Sequence, residues 1–97
     1  MNTSIATLQI TADLAELIQV RQFIEKTAVP HTNNAQLISD LILAVDEAVT
    51  NIIRHGYQQQ PGTIKINITC QQNKIEITLY DWSPNFDPTK VAEITPM

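Results

Sequence analysis

Residues 38–53 carry the pattern that most constrains this chain. Ile38, Leu41, Ile42, Val45, Ala48, Val49, Ile52 and Ile53 recur at helical spacing. At about 100° per residue they fill a single arc of roughly 140°. A stripe of that width has to lie on a sheet or on a neighbouring helix. Asn33 or Asn34 is placed to cap the start of this helix. Gly56 is placed to end it in a left-handed conformation, and His55 stands near the last carbonyls, where a basic group suits the helix dipole.

The rest of the chain supplies the surface the stripe covers. Ile64, Ile66, Ile68 and Cys70 alternate with Lys65, Asn67 and Thr69. After a short polar link, Ile75, Ile77 and Leu79 alternate with Glu76, Thr78 and Tyr80. Two such runs predict an antiparallel hairpin with one apolar face. Ile5–Thr11 predicts a further strand, with Ala6, Leu8 and Ile10 on its inner side. Asp13 and Glu16 have the spacing of a capping box, opening a first helix through Leu14, Leu17, Ile18, Ile24 and Ala28 that stops before Pro30. Gln58–Gly62 is a polar loop closed by a Pro–Gly turn signal. The order strand, helix, helix, strand, strand predicts an α+β two-layer sandwich, helices packed on a mainly antiparallel sheet.

Ninety-seven residues allow one domain, expected over 1–97. A chain of this size buries roughly 60–65% of the surface it exposes when unfolded. The net charge of −4 and six scattered basic residues argue against a nucleic-acid partner. No apolar run approaches the roughly 20 residues of a membrane span, and no leader-like segment opens the chain, so no membrane and a cytoplasmic location are expected. Cys70 is the one cysteine, set in a strand pattern that reads as a buried thiol. Two glycines leave no room for a P-loop or a G-x-G-x-x-G turn. His31 and His55 lack zinc-ligand spacing, and no serine sits in a nucleophile elbow.

What stands out is a pair on the second helix. Glu47 and Asn51 are one turn apart, about 170–230° from the middle of the apolar stripe, so packing does not require them. A carboxylate and a carboxamide so placed suit phosphoryl transfer, one orienting a hydroxyl and the other completing the coordination of Mg²⁺. A solvated helix face has the same appearance.

Two motifs bear on that choice. The run Asp46-Glu47-Ala48-Val49-Thr50-Asn51 through His55-Gly56-Tyr57 resembles the N-box of the bacterial anti-sigma-factor serine kinases. These belong to the Bergerat-fold (GHKL) ATPase superfamily, together with histidine kinases, gyrase and Hsp90. Asp81-Trp82-Ser83-Pro84-Asn85-Phe86-Asp87-Pro88 is similar to that family's first ATP-binding box, D-x-G-x-P-F-D-P, and also follows the hairpin. The resemblance runs from the first strand to about Pro88. It implies ATP and Mg²⁺ as ligands, with Glu47 as general base, Asn51 coordinating Mg²⁺ and Asp81 accepting from the adenine amino group. Arg54 and His55 would lie near the phosphates, and Ser83 and Phe86 in the nucleotide pocket. Trp82 and Phe86 either line that pocket or cover the open end of the core. The implied partners are a small (STAS-type) antagonist protein bearing the target serine and/or a sigma factor. A homodimer is expected on the separate ground of uncovered surface.

Two departures follow from the same resemblance. Ser83 replaces the box's glycine, which costs about 1 kcal/mol or somewhat more if that position needs a positive φ or close approach to the base. The family's fold also continues into an ATP lid and a second glycine box, whose backbone N–H groups hold phosphates. The domain is therefore expected to be incomplete at its C-terminus. If the chain is naturally short, or completed by another subunit, apolar surface left open by the missing elements predicts dimerisation. The leading expectation is an anti-sigma-factor-like serine-protein kinase domain. The alternative is a non-catalytic interaction module with a degenerate nucleotide site. The ATP-binding part of a histidine kinase is a weaker third, since F-D-P follows the box and no helix bears a phosphoacceptor histidine.

Overall fold

The computed structural model describes residues 4–71 and 74–83. Strand β1 (Ser4–Thr11) leads through a 3₁₀ turn (Leu14–Glu16) into helix α1 (Leu17–Ala28). A second short turn (Val29–His31) precedes helix α2 (Ala35–Asn51), which runs on into a π-helical turn (Ile52–Gly56). Strands β2 (Thr63–Gln71) and β3 (Lys74–Asp81) complete the order. The sheet is β1-β2-β3 and antiparallel throughout. Two helices thus pack on a three-stranded antiparallel sheet, the α+β architecture that the alternating and helical patterns predict.

Register explains the core. Leu8, Ile66 and Leu79 form one cross-strand row, and Ala6, Ile68 and Ile77 the next. Ile66, Ile68, Ile77 and Leu79 share one buried cluster with Val20 and Ile24 of α1 and Leu41, Val45 and Val49 of α2, and Leu8 packs against it. The isoleucines of β2 and β3 suit this layer because branched side chains fill a pleated surface well. The row nearest the end of β3 is Ile10, Ile64 and Asp81. A carboxylate thus occupies a core position, next to two isoleucines.

The first helix is turned from its expected face. Val20, Ile24 and Ala28 are its buried residues, whereas Ile18 is 63% exposed and Leu14 is also exposed. Leu14 falls in the 3₁₀ turn, whose tighter winding takes it out of phase with the α-helix, and the packed side rotates toward Val20 and Phe23. The capping box forms by half. Asp13 Oδ1 accepts from the Ala15 amide at 2.9 Å, but the Asp13 amide already donates to the Thr11 carbonyl at 2.8 Å. Glu16 instead accepts from the Thr11 hydroxyl at 3.2 Å. For α2 the cap is Asn34, whose Oδ1 accepts from the Leu37 amide at 3.0 Å.

The end of α2 also differs from expectation. Gly56 has no positive φ and is buried within the π-helical turn. The left-handed residues come later, at Gln58 (φ 54°) and Gln59 (φ 63°). The helix is not stopped at Gly56 but widened: the Tyr57 amide reaches the Ile52 carbonyl at 2.9 Å, and Gln59 reaches Ile53 at 3.0 Å. The reversal is thereby delayed by two residues. Nor is the outward face of the sheet apolar. Apart from Ile5 it carries Thr7, Gln9, Lys65, Asn67, Thr69, Glu76, Thr78 and Tyr80, with Thr7 donating to Asn67 Oδ1 at 2.9 Å and Lys65 over the Tyr80 ring. Among the described residues the exposed large apolar side chains lie mostly on the helical layer, at Leu14, Ile18, Val29 and Leu43. Among the described residues no helix is long and apolar enough to cross a membrane.

Candidate functional site

Glu47 and Asn51 stand on the side of α2 away from the sheet, both exposed and neither side chain bonded to another described residue. They line a shallow groove of about 310 Å³ with Leu17 and Arg21 of α1 and Asp46 and Thr50 of α2. Arg21 crosses from one helix to the other, its Nε and Nη2 each 2.7 Å from Asp46 Oδ2. That hydrogen bond, and then the carboxylate charge, push the guanidinium pKa above its usual value. Asp46 Oδ1 is buried and has no partner among the described residues. Glu47 therefore sits beside an ion pair that is already closed, and its own oxygens are open.

Asp81 and Ser83 contrast with this. Asp81 is 2% exposed and Ser83 4%. The Ser83 amide donates to Asp81 Oδ1 at 3.0 Å, and the Ser83 hydroxyl donates to the same oxygen at 2.7 Å. Oδ2 accepts no hydrogen bond from the described residues. Ser83 does not have a positive φ, so the strain expected of a side chain there does not arise. Its hydroxyl has become part of the carboxylate's environment instead. Trp82 between them is 56% exposed and lies outside the core. Phe86 lies outside the described residues.

Tyr57 joins the helix segment to the strand segment. Its hydroxyl donates to the Thr63 carbonyl at 2.7 Å and accepts from the Trp82 amide at 2.9 Å. One buried phenol thus ties the end of α2 to the start of β2 and to the residue following Asp81. Its ring lies directly against Gly62, where an added Cβ would run into it. Arg54, one turn beyond Thr50, faces elsewhere. It lines a second cavity of about 590 Å³ with Thr11–Leu14, Ile53 and Gln59–Gly62.

The family model for the histidine kinase-like ATPase domain matches residues 10–96. The chain belongs to that family. Among curated relatives, the serine-protein kinase RsbW of Bacillus thuringiensis is 38% identical over 50 residues, which is 52% of this chain and 31% of the relative. RsbW of Oceanobacillus iheyensis is 37% identical over 59 residues, 60% of this chain and 37% of the relative. The alignments thus span about a third of the length of these kinases.

Within this ATPase-family chain, the residues singled out from the sequence fall into three groups. Glu47 and Asn51 share a groove, Asp81 and Ser83 share a buried hydrogen-bonded pair, and Arg54 lines a different cavity. The connection through Tyr57 was not foreseen, and only its position just past the helix hinted at it. The burial of Asp81 had a clearer signal, because it continues the inward phase of Ile75, Ile77 and Leu79. The Arg21–Asp46 pair had none, being formed between helices 25 residues apart in sequence. Glu47 and Asn51 offer hard oxygen donors of the kind Mg²⁺ takes. Among the described residues no group of three or more His, Cys, Asp or Glu is gathered for a metal. Mg²⁺ is commonly held by one or two protein oxygens together with substrate phosphates and water, so Asn51 fits that mode. Cys70 is buried, its thiol 3.9 Å from the Thr27 carbonyl, and burial pushes its pKa up, the opposite of an activated nucleophile.

Proposed function

We propose that this chain is the nucleotide-binding part of an anti-sigma-factor-like serine-protein kinase, taking Mg·ATP and passing its γ-phosphoryl group to a serine of a small antagonist protein. The observation that carries the reading is the combination of an open Glu47–Asn51 pair on α2 with a buried Asp81 at the end of β3, joined through Tyr57. Family membership and partial similarity to RsbW support it. In this reading Asp81 Oδ2 accepts from the adenine amino group and so selects the base. Asn51 presents its side-chain oxygen to Mg²⁺, and Arg54 approaches the phosphate end. Glu47 orients the serine hydroxyl and takes its proton as the new phosphate ester bond forms and the bond to ADP breaks. When bound, Mg²⁺ neutralises charge on the transferring phosphoryl group. A second copy, a sigma factor and the antagonist are the proposed partners.

Titration calorimetry with Mg·ATP tests the first half. Binding is expected, weakened at least about tenfold by Asp81→Asn and by Asn51→Ala, each of which removes a contact to the ligand. Transfer of labelled phosphate to a co-encoded partner tests the second half. Glu47→Gln should slow it about 10²–10⁴-fold while leaving ATP binding nearly unchanged. No heat at millimolar Mg·ATP would sink the reading and leave a protein-interaction module that has kept the fold.

A further inference from the structure

We infer that Ser83 is a positioning residue that sets the base preference of the site by occupying one oxygen of Asp81 and leaving the other for the ligand. The inference rests on the proposed nucleotide site. Both internal donors, the Ser83 amide and hydroxyl, converge on Oδ1 at 3.0 and 2.7 Å. A carboxylate oxygen has about two lone-pair sites, so Oδ1 is filled. Oδ2 accepts nothing from the described residues. The carboxyl plane is thereby held in one orientation, with Oδ2 the oxygen that the described residues leave unused.

Such an acceptor discriminates by what faces it. A purine carrying a 6-amino group donates to Oδ2, whereas one carrying a 6-oxo group sets two acceptors against each other and leaves a buried charge unpaired, which is costly. The discrimination requires the carboxylate to stay in place. A glycine at position 83 can supply only the amide donor. The hydroxyl adds a second, charge-assisted bond, shorter than the first. Ser83 therefore acts on the ligand through Asp81.

The experiment compares ATP with ITP, which differ at that 6-position, by calorimetry on the wild type and on Ser83→Ala, Ser83→Gly and Ser83→Thr. The wild type should prefer ATP, and Asp81→Asn should remove the preference. Ser83→Ala and Ser83→Gly should each lower the ATP:ITP affinity ratio about tenfold, the worth of one charge-assisted hydrogen bond. Ser83→Thr, which keeps the hydroxyl, should restore most of it. Thermal unfolding of each variant, run in parallel, separates this from loss of structure, since a merely structural serine would weaken both nucleotides alike and leave the ratio unchanged. A wild-type preference that needs Asp81 but survives in Ser83→Ala overturns this inference alone. A wild type that binds neither nucleotide overturns it together with the functional reading beneath it.

Discussion

On α2, the Glu47 and Asn51 side chains are exposed and held by no other described residue, whereas at the end of β3 Asp81 and Ser83 are buried and bonded to each other. The difference follows from what each location requires. A carboxylate in the core row beside Ile10 and Ile64 is tolerable only with donors supplied, so its geometry is built into the fold. A carboxylate on a wet helix face needs no such support and can move. The strand end therefore carries an acceptor held by internal donors, whereas the side chains of the helix pair have no such donors among the described residues. In the proposed reading Asp81 selects the base, Asn51 helps hold Mg·ATP, and Glu47 carries the chemistry.

Stability measurements can break that contrast, beginning with its connecting residue. Tyr57→Ala should cost about 3–5 kcal/mol in urea unfolding, since it empties a buried aromatic site and frees two hydrogen-bond partners. Glu47→Ala should change stability by less than about 0.5 kcal/mol, as for an ordinary surface substitution. Similar values for the two would end the distinction. Gly62→Ala comes next, at about 1–3 kcal/mol, because its methyl group runs into the Tyr57 ring. The smallest effect is a control at the other end of the sheet. Burial holds the Cys70 thiol above its usual pKa of 9.0. The contribution of that thiol is intact below pH 9 and is lost as the pH rises from there through the raised folded value, because the unfolded thiol ionises first. Unfolding midpoints at pH 7 and pH 10 should therefore fall further apart in the wild type than in Cys70→Val.

The sequence disclosed the two-layer fold because β2, β3 and α2 each keep a single period throughout, so their inward faces could be read residue by residue. It was less informative where the period changes. The 3₁₀ turn at Leu14–Glu16 shifted the face of α1 and left Ile18 in solvent, and the π-helical turn moved the chain reversal from Gly56 to Gln58 and Gln59. In the candidate site, the positions of Glu47 and Asn51 follow from the helical wheel alone. The environment of Asp81 was half legible, since strand phase predicts its burial and an Asp at a strand end commonly bonds the amide two residues on. The added bond from the Ser83 hydroxyl was not foreseen. Contacts that cross the chain, Arg21 to Asp46 and Tyr57 to Trp82, depend on how elements pack and leave no trace in local spacing.

The pairing of β1 with β2 has a consequence for how the molecule forms. Thr7 finds Asn67 across 60 residues, and both helices lie within the loop that this contact closes. Closing so long a loop is entropically expensive and rewarded only late, which slows folding compared with a helical bundle of equal size. During synthesis β1 emerges first and must wait, unpaired, until β2 has been made. The hairpin of β2 and β3, assembled from neighbouring residues, would then serve as the template on which that first strand is laid. Mutations that weaken the hairpin should accordingly slow refolding more than those at the β1 edge.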